Sequence, residues 1–388
     1  MICVVGIGED GLAGLSETAK AKIAAADVLV GGQRHHDLVP KFRGERLDWG
    51  QGVEATLELI APKRDQQIVI LASGDPLYYG VAKNVIDRFG AAQVQVFPVP
   101  GAVSLTCAAM GWPQADVQVV TVHGRPLPSL MLYLVPGVRL VVLSQDGDTP
   151  AQVAQLLRDH GYGPSLIWVL EHLGGPKEDR LQGRAGRWAH PKCADLNTIA
   201  IDVIAGEDAR PLSRLAGLPD DAFSHDGQMT KRATRAVTLS SLAPLPGELL
   251  WDFGAGAGSI SIEWMRTHAS CRAVAIERDQ RRADRILHNA QVLGVPKLVV
   301  EVGENRTVAG RLCGSPDAIF IGGGIQAPGL VQAVWAKLKP GGRLVANAVT
   351  DASRDVLKTM NQTYGGELMT MTIESKLPIT QILVRKEP

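Results

Sequence analysis

Short runs of apolar and β-branched residues alternate along the chain with stretches whose apolar positions recur every three or four residues. In the first half the runs predict strands at Ile2 to Ile7, Ile68 to Ala72, Val94 to Phe97, Val117 to Val122, Arg139 to Leu143, Leu166 to Leu170 and Thr198 to Ile204. The stretches between them predict helices at Thr18 to Ala26, Val53 to Ala61, Val81 to Phe89, Val103 to Met110 and Ala151 to His160. From Gly206 to Gly227 the periodicity fades while Asp, Pro and Gly accumulate. A domain boundary is placed there, near Pro211 to Asp221, dividing the chain into 1–210 and 211–388; a surface loop within one domain is the other reading. Beyond it a helix capped by Thr230 runs to about Leu242. Strands follow at Leu249 to Phe253, Arg272 to Glu277, Leu298 to Val302, Ala318 to Ile321 and Arg343 to Ala348, with helices at Ser259 to His268, Arg281 to Leu293 and Gly329 to Leu338. The fold class is α/β in both halves.

Within this pattern Leu249 to Gly258, LLWDFGAGAG, stands out. A strand ends in Asp252, and Gly254, Ala255, Gly256 and Gly258 lead directly into the helix SISIEWM. Glycines let backbone approach a ligand closely, and a helix start offers free N–H groups to an anionic group. The next strand ends on Glu277, 23 positions after Gly254, near the spacing of about 20 at which nucleotide folds hold a ribose diol. The turn lacks the third glycine position of the dinucleotide G-x-G-x-x-G pattern. It resembles motif I of the Rossmann-like class I S-adenosylmethionine methyltransferases. That resemblance implies that Asp252, Gly254, Ala255, Gly256, Gly258 and Glu277, with Thr230 and the Gly303-Glu304 pair, bind the cofactor. Gly322, Gly323 and Gly324, without side chains, would leave room for a large flat substrate; a plain turn accounts for them as well.

Three junctions in the first half fall after strands, where ligands of open α/β sheets sit: Gly6-Ile7-Gly8, Ser73-Gly74-Asp75-Pro76-Leu77-Tyr78-Tyr79-Gly80, and Pro98-Val99-Pro100-Gly101-Ala102-Val103-Ser104. As an ordered set they resemble the tetrapyrrole methyltransferases of the cobalamin and sirohaem pathways, whose two α/β lobes enclose a cleft. Gly31-Gly32-Gln33-Arg34, His123-Gly124-Arg125 and Glu171-His172-Leu173-Gly174 resemble the branch acting late in corrin synthesis. The resemblance implies S-adenosylmethionine bound by Ser73, Gly74, Asp75, Pro76, Val103 and Ser104, with Gly8 facing the tetrapyrrole. The expected architecture is thus a two-lobed tetrapyrrole methyltransferase fold followed by a Rossmann-like class I domain, with one S-adenosylmethionine per domain.

Composition narrows the partners. Lys plus Arg balances Asp plus Glu at 40 each, so nothing global favours nucleic acid or an anionic membrane. The five cysteines lie singly, without metal-ligand or disulfide spacing, so no metal is expected and a reducing cytoplasm fits. The chain opens on the strand-like ICVVGIG and holds no apolar run of about 18 residues, so it is read as neither exported nor membrane-inserted. A homo-oligomer, dimer or tetramer, is expected by family analogy alone.

Taken over both halves, the resemblance implies methylation of a reduced tetrapyrrole, a precorrin, at carbons 5 and 15, with loss of carbon dioxide from the ring C acetate. Such chemistry needs chiefly orientation, and basic residues that clamp peripheral carboxylates. The candidates are Lys231, Arg232, Arg235 and Arg306 in the second half, and Arg34, His35, His36 and Arg125 in the first. A solvated charge cluster accounts for Lys231, Arg232 and Arg235 equally well. His123 and Glu263 are the candidate catalytic groups, His123 reading also as a hydrogen-bonded structural imidazole and Glu263 as a packing or ion-pair residue. Two rival functions stay open: a nicotinamide oxidoreductase, and a non-enzymatic sensor of S-adenosylmethionine or a tetrapyrrole.

Overall fold

A computed structural model describes residues 1–63, 65–372 and 378–387. The chain divides into two compact units, the first formed by 1–124 and 135–210, the second by 125–134 and 211–388.

In the first unit the leading lobe contains β1 (Ile2–Ile7), α1 (Glu17–Ala24), β2 (Val28–Val30), α2 (Gln33–Asp37), β3 (Glu45–Leu47), α3 (Val53–Ile60), β4 (Ile68–Ser73), α4 (Ala82–Phe89) and β5 (Val94–Phe97). Its strands form a parallel sheet in the order β3-β2-β4-β1-β5. Alternate residues face opposite layers, as strand geometry requires. Ile2, Val4, Ile68 and Ile70 pack with Leu57, Ile60 and Val85 of α3 and α4. Cys3, Val5, Ile7 and Leu71 pack with Ala19 and Ile23 of α1. The second lobe adds α5 (Ala102–Met110), β6 (Val117–Thr121), β7 (Arg139–Leu143), α6 (Thr149–Asp159), β8 (Leu166–Glu171), β9 (Asp179–Arg184) and β10 (Asn197–Asp202). Here the order is β6-β7-β10-β8-β9, antiparallel except for β6 beside β7.

The second unit comprises α7 (Arg232–Leu242), β11 (Leu249–Phe253), α8 (Ser259–Thr267), β12 (Arg272–Glu277), α9 (Gln280–Val292), β13 (Val299–Val302), α10 (Asn305–Arg311), β14 (Ala318–Ile321), α11 (Leu330–Lys337), β15 (Arg343–Ala348), α12 (Asp351–Tyr364), β16 (Glu367–Met371) and β17 (Ile379–Arg385). Its sheet runs β13-β12-β11-β14-β15-β17-β16, with β17 antiparallel between β15 and β16. Leu250 faces α7, α8 and α9, whereas Trp251 and Phe253 face α10 and α11, giving three layers. Strand order reverses between β11 and β14, both neighbours running parallel. A crevice beyond their carboxyl ends is where open α/β sheets hold ligands.

The α/β class read from the sequence holds in both halves. Several details differ. β2, β3 and β9 were not expected: the first two have three residues each, and β9, DRLQGR, is too polar to register as a strand. α2, α10, α12, β16 and β17 were likewise not expected. Thr230 does not cap the helix it precedes; Lys231 occupies that position without a side-chain cap.

Candidate active site

Each unit presents glycine loops at the carboxyl edge of its parallel strands. In the first, the ends of β1, β4 and β5 meet with almost no side chain between them. A Cβ on Gly6 would lie 1.9 Å from the Gly74 carbonyl oxygen, and one on Gly74, at φ +60°, would lie 2.6 Å from Gly101 Cα. Only glycine fits such approaches. Asp75 closes its own turn, its Oδ1 accepting from the Leu77 N–H at 2.9 Å. Ser73, Gly74 and Gly8 line a cavity that also takes in Glu9, Arg34 and His172.

The polar groups of this cavity are linked. Glu9 accepts from Arg34 through one oxygen and meets His172 Nδ1 at 3.0 Å through the other. Arg34 also donates to Ser73 Oγ, which lies 3.1 Å from His35 Nε2. Burial opposes ionisation of Glu9, but the hydrogen bonds from His172 and Arg34 outweigh it and hold the carboxyl below its ordinary range. Burial, with the Arg34 charge beside it, holds His35 down at about 4, so this imidazole is neutral at pH 7.

In the second unit, Gly254, Gly256 and Gly258 all adopt left-handed backbone, at φ +73°, +61° and +76°. A Cβ on Gly254 would lie 2.9 to 3.1 Å from the backbone of Gly323, so the β11 and β14 loops touch main chain to main chain. Around Gly323 itself a Cβ would meet nothing within 4 Å. Asn305 sets this loop, its Nδ2 donating to the Gly323 carbonyl at 2.9 Å. Glu277, buried at the end of β12, accepts from Gly256 N–H at 2.9 Å and from the N–H groups of Arg278 and Asp279. Asp252 is fully buried beneath the turn; one oxygen takes both the N–H and the hydroxyl of Ser261, and the other has no partner. Burial drives its carboxyl up to about 6, with the Glu277 charge adding to the rise.

With this geometry in place, the chain can be set beside known proteins. It is 44% identical over 97% of its length to the precorrin-6Y C(5,15)-methyltransferase [decarboxylating] of Sinorhizobium sp, of which it covers 92%. The chain belongs to the precorrin-6Y C(5,15)-methyltransferase family. Residues 1–189 match the family model described as tetrapyrrole (corrin/porphyrin) methylases, and 221–386 the one described as precorrin methyltransferase domain. Two further relatives align with about half of it. The cobalt-precorrin-7 C(5)-methyltransferase of Salmonella typhimurium is 36% identical over 46% of this chain and 88% of its own length. The probable cobalt-precorrin-6B C(15)-methyltransferase (decarboxylating) of Saccharolobus solfataricus is 30% identical over 44% and 85%.

Within this precorrin-6Y C(5,15)-methyltransferase family member, the residues singled out by sequence fall into three groups. Ser73, Gly74 and Gly8 are at the first cavity; Gly254, Ala255, Gly256, Gly258, Glu277, Gly303 and Gly322–Gly324 are at the strand ends of the second unit. Glu304 is exposed, 3.9 Å from Arg278. Lys231 is half-buried, and exposed Arg232 donates to the Gly217 carbonyl. Pro76 and Val103 are buried, Val103 in the core under α5, and Ser104 accepts from Gln114. His123 and Arg125 are exposed, Arg125 grouping with the second unit.

Arg235 is neither the clamp nor the solvated charge expected of it, and Glu263 takes the ion-pair reading rather than the catalytic one. Both are buried, at 0% and 2% exposure, and paired to each other. Arg235 further donates to Asp220 and to the Leu218 and Thr230 carbonyls, while Glu263 accepts from the Gly217 and Leu218 N–H groups. Every strong donor and acceptor is thus spent on fixing 217–220 against α7 and α8, leaving neither a clamp nor a proton carrier. His36 is also buried, against the Leu47 carbonyl, away from any clamping role. Glu9 and Asn305 were missed because their partners are remote in sequence, and His172 was singled out only within the Glu171-His172-Leu173-Gly174 motif, without a role; a further signal was the acid directly after Gly-x-Gly.

Two outcomes follow. Arg235→Met leaves the buried Glu263 carboxylate without its counter-charge, costing about 3–5 kcal/mol, read as a lowered urea midpoint. For Asp252, the folded protein keeps a proton that the unfolded chain has already released at the ordinary value of 3.8. Stability relative to Asp252→Asn therefore falls by about 3 kcal/mol as pH rises from about 4 to about 6, and is level above; urea titrations of both proteins across that range check it.

Proposed function

We propose that the chain methylates a precorrin at carbons 5 and 15 with S-adenosylmethionine, one bound per unit, and removes carbon dioxide from the ring C acetate, giving precorrin-8X. The observation carrying this is the near full-length identity to the Sinorhizobium protein, joined to a glycine-loop site in each unit. The half-length relatives support separable activities. By resemblance, carbon 5 falls to 1–210, and carbon 15 with decarboxylation to 211–388.

The second site suits the cofactor. The Gly254–Gly258 turn brings bare backbone to the strand end, where Cβ atoms would collide with Gly323, Gln228 and Ile286, and Glu277, accepting from the Gly256 N–H, stands where such folds place the acid for a ribose diol. Glu304 would meet the adenine amino group, and the open space at Gly323 would admit the macrocycle. In the first unit Ser73, Gly74, Asp75, Pro76, Val103 and Ser104 would hold the second cofactor. Bound S-adenosylmethionine supplies the electrophilic methyl. The protein aligns a nucleophilic bridge carbon with it in a site that excludes water, and Lys231 and Arg232 meet peripheral carboxylates. Decarboxylation breaks the acetate C–C bond with the electron pair passing into the conjugated ring nitrogen.

A nicotinamide enzyme fits less well, because antiparallel β17 is inserted here between β15 and β16, where the dinucleotide fold has its fifth and sixth strands side by side. A cytoplasmic location is supported by all five cysteines being free thiols. The exposed Leu368 and Met369 on edge strand β16 offer a surface for the homo-oligomer.

Gly254→Ala in the full chain tests the assignment. Equilibrium dialysis should give two S-adenosylmethionine per wild-type chain and one for the variant, which should still methylate carbon 5 while losing carbon 15 methylation and carbon dioxide release. A single site in the wild type, or carbon dioxide release surviving in the variant, contradicts the reading.

A further inference from the structure

We propose that His172, oriented by Glu9, accepts the proton that leaves the methylated bridge carbon in the first unit; this rests on that unit being the carbon 5 methyltransferase. His172 follows directly on β8, while Glu9 lies in the loop after β1, 163 residues away in sequence. The fold brings both to the wall of one cavity, beside Gly8, Ser73 and Arg34.

The hydrogen-bond inventory fixes the tautomer. An ionised carboxylate only accepts, so with Glu9 Oε2 at 3.0 Å, Nδ1 must carry the proton. Nε2 of the neutral ring is then an acceptor, and it has no partner among the described residues. Arg34 occupies the other oxygen of Glu9, which keeps the carboxylate charged and turned toward His172. His35, the next imidazole along, is uncharged and tied to Ser73. Glu9 is thus the positioning residue and His172 the group that meets the substrate.

Backbone geometry points the same way. His172 is one of three non-glycine residues at positive φ, +46°, among those described. It is held there by its N–H to the Leu196 carbonyl at 3.1 Å and by the Gly175 N–H to its own carbonyl at 3.0 Å. A side chain kept in this sparsely populated region by surrounding bonds marks a place where its direction matters.

The step balances. The bridge carbon donates its π pair to the sulfonium methyl; a C–C bond forms, the S–CH₃ bond breaks, and the sulfur keeps that pair as a neutral thioether. The macrocycle is left cationic, with hydrogen and methyl on one tetrahedral carbon. Transfer of that hydrogen to Nε2 as a proton returns its pair to the conjugated system and leaves an imidazolium facing Glu9.

The test uses the full chain and precorrin carrying hydrogen or deuterium at carbon 5. His172→Ala should lower the rate of carbon 5 methylation about 100-fold, leave S-adenosylmethionine affinity, carbon 15 methylation and carbon dioxide release unchanged, and expose a primary isotope effect absent from the wild type. Added imidazole should restore part of the rate. His172→Asn, which keeps a donor to Glu9 but has no basic nitrogen, should be as slow as the alanine variant, and this guards against a loss through misfolding. Glu9→Gln should lower kcat with KM unchanged. Wild-type carbon 5 rates in either His172 variant, or a loss with neither isotope effect nor imidazole rescue, overturn the proposal and leave the assignment of function standing. A wild-type chain that never methylates carbon 5 overturns both.

Discussion

The contact on which the molecule's sites depend is main chain against main chain. At the ends of β11 and β14, Gly254 and Gly323 approach so closely that a methyl group on Gly254 would press into the neighbouring backbone. The first unit repeats the device with Gly6, Gly74 and Gly101. Side chains in these places would force the strands apart or fill the crevice. Removing them lets two loops share one wall, with their peptide groups, rather than their side chains, forming the surface a ligand meets.

Such a surface must be held by something other than its own side chains. In the second unit this falls partly to Asn305, which fixes the Gly323 carbonyl, and partly to the Arg235–Glu263 pair, which pins 217–220 beneath the helix leaving the glycine turn. Burying two charges is costly unless their remaining hydrogen-bonding capacity is met, and here backbone groups meet it. The arrangement fixes the incoming segment against α8, the helix that leaves the glycine turn.

Much of this was legible in the sequence, and the reasons for the rest are physical. Strands such as Ile2–Ile7 and Leu249–Phe253 announce themselves because a buried parallel strand is apolar on both faces. β9 does not, because an edge strand needs only one sheltered face and its residues are largely polar. The glycine turns were readable because a positive φ restricts the residue type. Charges are harder: Arg235 and Glu263 lie 28 residues apart, and nothing local distinguishes a guanidinium that meets solvent from one that meets a buried carboxylate. The pairing of Glu9 with His172 depends on the whole first unit closing, so no window of sequence contains it.

The position of β17 has a bearing on biosynthesis. Because it is inserted between β15 and β16, the ladder on both sides waits for residues 379–385 to be translated. Until then the far edge of β15 and the whole of β16 expose unpaired amide and carbonyl groups on the ribosome. The first unit's own strands are all complete by Asp202. The nascent chain therefore has one module able to consolidate early and another whose closure waits for residues 379–385 to emerge, the interval in which a chaperone would most usefully cover it.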